Sequence, residues 1–466
     1  MKFIGRHKEL STLENLYSQN DFQFVVIYGR RRIGKTALIN KFIENKSAIY
    51  FSGLEENAKD NLVRLSQAIN NYQSKDDSDE RVFPNYEACF KQIAKMAQKK
   101  RLVFVIDEYP YLAASYPTVS SMLQSYIDHE FQNTKLYLIL CGSSMSFMEK
   151  QVLGYKSPLY GRRSAQIKLN PFDLREAQEM LPKMNKEDTF IINTITGGIP
   201  QYLAYMSDQK SVKQNIIDNF LNSSGRLFNE PSSLLQQELR DPANYNSIVN
   251  ALASGASKLN VIATKVDMTS GTATKYLTNL IELGIVEKTV PITEVDKPKS
   301  KKTLYQISDG MFRFWYTFVS RYIDLIERGM SEVVWQKIEK ELSNFMGHPF
   351  EKLSQEYLWQ NDLNEEIIPV PFIHLGNWWG TDPKQRKQVE LDVVGYTDDN
   401  AIGYFGECKW KNEPISRSIL EKLIECSSLF SYPKKYFFLF SKTGFTDNCK
   451  ELAKKVECKL ITFEEM

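Results

Sequence analysis

Eight residues near the start of the chain, Gly29-Arg30-Arg31-Arg32-Ile33-Gly34-Lys35-Thr36, fit the pattern GxxxxGK[ST] without a mismatch. They follow directly on the apolar run Phe24–Tyr28 and open an amphipathic segment, Lys35–Glu44, so the chain must pass from strand to helix within the motif. Glycines at both ends let backbone N–H groups curl around an anion, and the positive end of the helix points into the same space. Lys35 then neutralises the β- and γ-phosphates of a nucleotide, and the Thr36 hydroxyl is a ligand for Mg²⁺. The residues expected to hold ATP are Gly29, Arg30, Arg31, Arg32, Ile33, Gly34, Lys35, Thr36 and Ala37, with Asp107 from further along the chain.

Asp107 ends the apolar run Leu102–Ile106 and is followed by Glu108. A carboxylate at the C-terminal edge of a strand beside the phosphate loop holds Mg²⁺ through water, and its neighbour is the natural base for polarising a hydrolytic water. A further strand, Leu136–Cys141, ends in Gly142-Ser143-Ser144, whose polar groups either sense the γ-phosphate or form a plain turn. Short apolar runs at Ala48–Phe51 and Ala165–Leu169 and helical patterns at Ala58–Tyr72 and Tyr86–Gln98 complete a parallel, helix-covered sheet. Ser74–Arg81 reads as a solvated loop, and residues 173–240 as almost entirely helical.

Six motifs in order carry a resemblance: Phe3-Ile4-Gly5-Arg6-His7-Lys8-Glu9-Leu10, the phosphate loop, Ile106-Asp107-Glu108-Tyr109-Pro110-Tyr111-Leu112, Cys141-Gly142-Ser143-Ser144, Pro158-Leu159-Tyr160-Gly161-Arg162-Arg163 and Gly197-Gly198-Ile199-Pro200. Together they resemble the archaeal-type ATPase family of the STAND branch of AAA-like NTPases. The resemblance implies that Gly5-Arg6 and Glu9 lie near adenine and ribose. It also implies that the Gly-Ile-Pro turn belongs to a helical lid over the nucleotide, and that Arg162 or Arg163 is a candidate charge-stabilising finger.

Residues 243–310 read as a winged helix. Helical patterns at Ile248–Ala253 and Val261–Val266 precede one that opens at Thr269 and runs to Leu283-Gly284, and a hairpin spans Ile285–Ile307 with Lys297, Lys299, Lys301 and Lys302 at its tip. The Thr/Ser/Lys face of the third helix and the lysine tip suit the DNA backbone; an interdomain or protein-binding role is the other reading. Met311–Met346 is a helical bridge.

In the last segment a helix, Pro349–Gln360, leads to strands at Glu366–Ile373, Val389–Tyr396 and Ala401–Trp410, a helix at Ser416–Phe430, a strand at Tyr436–Ser441, a helix at Thr446–Val456 and a strand at Lys459–Phe463. Period-2 alternation puts Glu407 and Lys409 on one face of a strand, and Asp392 at the end of the neighbouring strand reaches the same spot. Two carboxylates beside a lysine are what phosphodiester hydrolysis needs: Asp392 and Glu407 hold Mg²⁺, and Lys409 orients or activates water. Glu351 joins the metal shell or sits just behind it. The order of these elements resembles the restriction-endonuclease-like PD-(D/E)xK fold, with Leu391-Asp392 where that motif has Pro-Asp. A structural ion-paired strand is the bland alternative.

The expected class is therefore α/β. A P-loop NTPase parallel sheet occupies 1–172 and a helical lid 173–242; a winged helix (243–310) and a helical bridge (311–346) lead to a restriction-endonuclease-like domain over 347–466. The net charge of +2 divides into −5 over residues 341–466 and +7 before them, which is not basic enough to establish nucleic-acid binding by itself. Six cysteines without a CxxC pair exclude a zinc cluster or disulfide framework, and the polar N-terminus and short apolar runs fit neither a signal peptide nor a membrane helix. A cytoplasmic setting follows. The four histidines are scattered; Trp378-Trp379 and the stripe Phe312–Phe318 read as packing, the latter between domains. The expected function is a Mg²⁺-dependent ATPase, possible as an oligomer, whose nucleotide state controls a DNA-binding and DNA-cleaving C-terminal domain. Its rival is a STAND-type regulatory switch whose last domain binds without cutting.

Overall fold

The computed structural model describes residues 3–73, 81–297, 300–383 and 385–466. Residues 74–80, expected to be a loop, and Lys299 of the expected lysine tip lie outside these. Backbone contacts divide the chain into two units: Met1–Met184 with Thr196–Asp208 and Asn279–Ile285, and Asn185–Ile195 with Gln209–Thr278 and Val286–Met466. Among the described residues no helix is long and apolar enough to cross a membrane.

The first unit is built on a parallel sheet of β1 (Gln23–Tyr28), β2 (Ala48–Ser52), β3 (Leu102–Asp107), β4 (Leu136–Gly142) and β5 (Ala165–Lys168), in the order β2-β3-β4-β1-β5. Every residue of β1, β3 and β4 is buried, as the apolar runs require of strands covered on both faces. The helix Tyr86–Lys99 illustrates how the cover forms. Asn85 Oδ1 accepts the Ala88 N–H at 2.8 Å to cap it, a bond whose loss costs about 1 kcal/mol. Buried Cys89, Phe90, Ile93, Ala94 and Ala97 then fall on one face, and Phe90 meets Phe104 of β3 edge-on at 6.4 Å. Strand β4 lies between the phosphate-loop strand and the carboxylate strand, so the end of β4 enters the site between them.

In the second unit, the helices Pro242–Ala253 and Leu259–Lys265 and the start of Ser270–Glu282 precede an antiparallel hairpin of β6 (Val286–Thr289) and β7 (Leu304–Ile307). Glu294 in the hairpin connection lies 3.1 Å from Lys302 Nζ and 3.9 Å from that of Lys297, so two of the tip lysines are matched by one carboxylate. The stripe Phe312–Phe318 packs within this unit: Phe314 meets Phe220 at 5.0 Å and Phe345 at 5.8 Å.

Helix Ser331–Gln360 runs unbroken for 30 residues through Pro349, so the boundary expected at 346/347 falls inside it. Pro349 has no N–H for the Phe345 carbonyl four residues back. The Arg313 guanidinium takes that carbonyl instead at 2.6 Å, and stacks on the Phe345 ring at 4.1 Å. The expected lid, 173–242, is divided: helices Leu174–Met180 and Pro200–Leu203 belong to the first unit, Lys186–Ile195, Val212–Asn219 and Glu230–Glu238 to the second.

A second sheet has the order β12-β11-β10-β9-β8, formed by β8 (His374–Asp382), β9 (Lys387–Tyr396), β10 (Ile402–Lys409), β11 (Lys434–Ser441) and β12 (Cys458–Thr462). β8, β9 and β10 pair antiparallel; β10, β11 and β12 pair parallel. The strand expected over Glu366–Ile373 is not formed: those residues are turns and irregular backbone, and β8 begins only at His374. Pro369 and Pro371 each lack a ladder donor, which weakens pairing there. Trp378 lies on β8 and meets Phe430 at 4.9 Å, a packing role.

Candidate functional site

The phosphate loop leaves β1 at Gly29 and enters the helix Lys35–Ile43 at Gly34. Gly29 has φ 155° and approaches Leu169 O so closely that a Cβ would lie 2.8 Å from it; Gly34 has φ 92°, and Arg32 is also left-handed at 68°. The loop therefore closes tightly around the space in front of the helix. Lys35 is buried, and its Nζ donates to the carbonyls of Gly29 and Arg30 at 2.9 Å each. Burial holds its pKa below the ordinary lysine value, opposed by Cys141, Glu108 and Asp107. Ile33 is buried beneath the loop, whereas Thr36 and Ala37 are exposed at its mouth.

The three loop arginines reach outward to neighbouring elements. Arg30 donates to Gly284 O at 3.4 Å, Arg31 to Tyr111 Oη at 2.8 Å and Arg32 to Tyr202 Oη at 3.2 Å. Tyr202 stands in the helix that follows Gly197-Gly198-Ile199, so that turn touches the phosphate loop through Arg32. Arg6 is buried and donates to Ile33 O at 3.2 Å and Asn170 O at 2.6 Å, with Phe172 4.8 Å beneath its guanidinium. It clamps the loop from behind, while Glu9 sits 3.5 Å away.

Across the site, Asp107 Oδ2 accepts the Thr36 hydroxyl at 3.2 Å and the Tyr50 hydroxyl, and Oδ1 accepts the Glu108 N–H at 2.9 Å. Glu108 is left-handed at φ 48°, and its Oε2 accepts both the hydroxyl of Ser143 at 2.9 Å and its N–H at 3.3 Å. The polar end of β4 thus holds the candidate base. Sequence reasoning missed Tyr50. Its signal was a lone phenol within the run Ala48–Phe51, which period-2 alternation sets on the face opposite the buried Ile49 and Phe51.

Arg162 and Arg163 stand at the other end of the sheet, where the next residue, Ser164, donates its N–H to Phe24 O at 2.7 Å near the start of β1. Arg162 grips Asp128 in a fork, Nε–Oδ1 and Nη2–Oδ2 both 2.7 Å, which fixes its loop and commits its guanidinium away from the phosphate loop.

In the second unit, Asp392 of β9 and Glu407 and Lys409 of β10 come together. Lys409 Nζ lies 2.5 Å from Glu407 Oε1 and 3.9 Å from Asp392 Oδ2, and the Cys408 N–H donates to Asp392 Oδ2 at 2.8 Å. Burial, with Glu407 and Glu351 nearby, pushes the Asp392 carboxyl up to about 8 against the pull of Lys409. Burial lowers Lys409, but Glu407 and Asp392 outweigh it and raise its pKa. Glu351 sits behind: its Oε2 is 3.2 Å from His348 Nδ1 and accepts from Asn377 Nδ2 at 3.3 Å.

Both places offer hard oxygen donors of the kind Mg²⁺ takes: a hydroxyl and a carboxylate at Thr36/Asp107, two carboxylates at Asp392/Glu407. Among the described residues no group of three or more His, Cys, Asp or Glu side chains is arranged to hold a metal ion.

A strand–loop–helix phosphate cradle faced by a strand-end Asp-Glu pair, on a parallel sheet, defines an ATP-binding P-loop ATPase. Residues 3–206 match the family of ATPase domains predominantly from Archaea, and residues 315–422 match a family of archaeal and bacterial proteins of unknown function. The chain is 33% identical over 458 residues to the uncharacterised protein MJECL04 of Methanocaldococcus jannaschii, spanning 96% of this chain and 97% of that one, and it belongs to that protein's family. A 44-residue stretch, 9% of this chain, is 50% identical to an uncharacterised ATP-binding protein of the same organism, MJ0423, and spans 75% of it. Among solved structures, the Walker-type ATPase PABY2304 of Pyrococcus abyssi shares the fold at a TM-score of 0.50, with 17% identity over 67% of this chain and 96% of that one.

Proposed function

We propose that this protein is a cytoplasmic Mg²⁺-dependent ATP hydrolase whose nucleotide state governs a DNA-binding second unit with a phosphodiesterase site. The observation that carries the reading is the convergence of Lys35, Thr36, Asp107 and Glu108 in front of one helix start. In this reading the loop N–H groups and Lys35 hold the triphosphate. Thr36 and Asp107 would hold Mg²⁺, which when bound neutralises charge on the phosphate oxygens. Glu108, steadied by Ser143, accepts a proton from the attacking water. The three helices and hairpin of residues 242–307 contact DNA, and Asp392, Glu407 and Lys409 form the cleavage site, where the two carboxylates would hold Mg²⁺ and Lys409 orients water.

Purified full-length protein should hydrolyse ATP, and Lys35→Ala should abolish turnover; unchanged turnover in that variant refutes the site. A screen of linear and branched DNA with Mg²⁺ or Mn²⁺ should yield cleavage that vanishes in Asp392→Ala.

One observation favours a second reading, a STAND-type switch whose last domain does not cut. Lys409 is drawn against Glu407 at 2.5 Å, an ion pair that can serve as structure alone. Failure to cleave any nucleic acid tested, with ATP turnover intact, selects that reading.

A further inference from the structure

The carboxylate of Asp107 is held at both oxygens. Oδ1 takes the Glu108 N–H at 2.9 Å, and Oδ2 takes two hydroxyls, from Thr36 at 3.2 Å and from Tyr50. Tyr50 comes from β2, the edge strand beside β3; Tyr50 pairs with Val105 and Ser52 with Asp107 in that register, so the phenol reaches forward along the strand to meet the carboxylate. Its neighbours Ile49 and Phe51 face the hydrophobic core, whereas Tyr50 lies half-buried on the opposite face. A phenylalanine would fill the same volume. What the tyrosine adds is one O–H, and that O–H is spent on the oxygen that Thr36 also uses.

The two hydroxyls are not equivalent. Thr36 stands at the start of the helix, where its oxygen is a donor a divalent cation would recruit. Tyr50 is anchored in the sheet, so its bond can persist when Thr36 is engaged elsewhere.

We infer that Tyr50 is a positioning residue of the ATPase site: its hydroxyl fixes the orientation of Asp107, and through Asp107 it sets how strongly Mg²⁺ adds to nucleotide binding.

The test is calorimetry on the full-length protein with a non-hydrolysable ATP analogue, once in EDTA and once in Mg²⁺. The readout is the metal-linked gain, the ratio of the two affinities. Tyr50→Phe should reduce this gain about ten- to a hundredfold, the range of a hydrogen bond to a charged group, while the affinity in EDTA stays within twofold of wild type. Asp107→Asn should reduce the gain as well, and adding Tyr50→Phe to it should change nothing more, because the two residues act through one carboxylate. A wild-type gain in Tyr50→Phe overturns the inference and leaves Asp107 standing if Asp107→Asn still loses it. Independent, additive losses in the double variant overturn it too, as does an equal loss of affinity in EDTA, which would mark Tyr50 as merely structural.

Discussion

Replacing Asp392 by Asn should stabilise the metal-free protein, and the gain should depend on pH in a defined direction. The Asp392 carboxyl titrates at about 8 in the fold against 3.8 when unconstrained, chiefly because it is buried and secondarily because Glu407 and Glu351 stand nearby. The folded state therefore binds this proton more tightly than the unfolded state. Its contribution to stability is complete below about pH 4 and is lost progressively until the pH passes about 8. At 1.36 kcal/mol per unit, a shift of that size sets a ceiling of roughly 6 kcal/mol across the window. Lys409 at 3.9 Å and the Cys408 N–H at 2.8 Å can follow the ionised carboxylate, so about 2–3 kcal/mol should be realised. For a unit of this size that is about 5–10 °C in melting temperature. The assay is thermal unfolding of wild type and Asp392→Asn in EDTA at half-unit steps from pH 5 to 8.5, followed by near-ultraviolet dichroism. The difference between the two should widen as pH rises. Parallel curves, or a wild type that gains on the variant towards pH 8, would refute the placement of this carboxyl among like charges.

Glu108→Gln should keep nucleotide affinity and lose turnover by about 10²-fold or more, measured by phosphate release beside calorimetry. Ser143→Ala, which removes the hydroxyl donor to Glu108 Oε2 and leaves the backbone N–H at 3.3 Å, should lower kcat several-fold with KM unchanged. Arg313→Ala leaves the Phe345 carbonyl unpaired inside a helix that already lacks the Pro349 donor; denaturant unfolding should show a loss of about 2–3 kcal/mol.

What the chain discloses in one dimension and what it withholds divide along a physical line. The phosphate loop is legible because its requirement is local: glycines at fixed spacing, a lysine and a hydroxyl at a helix start. β1, β3 and β4 are legible because strands buried on both faces must be apolar throughout. Strand order is not local, and so the insertion of β4 between β1 and β3, which delivers Ser143 to Glu108, has no sequence signature. Tyr50 was hidden for the same reason: its partner is 57 residues away. The two errors with proline run in opposite directions. Pro369 and Pro371 end a run that composition favours as strand, whereas Pro349 is absorbed into a helix because Arg313 supplies the donor from outside it. Local rules read the first two correctly only if donors are counted, and the third cannot be read without the fold.

The two candidate sites also differ in what they lack. At the phosphate loop, Lys35 is buried and hydrogen-bonds to main-chain carbonyls, and the helix start adds positive potential, while the acids opposite are already held by Thr36, Tyr50, Ser143 and the Glu108 N–H. That arrangement is short of an anion. At Asp392 and Glu407, one ammonium group serves two carboxylates, with Glu351 close behind, and one of the acids is driven towards its neutral form. That arrangement is short of a cation. In the reading proposed above, the loop side of the first site takes a polyanion and the second site a divalent cation. Lys409 decides how the second behaves: while it stays at 2.5 Å from Glu407 it satisfies that acid as structure, and only if it turns towards substrate does the pair of carboxylates become a place for catalysis.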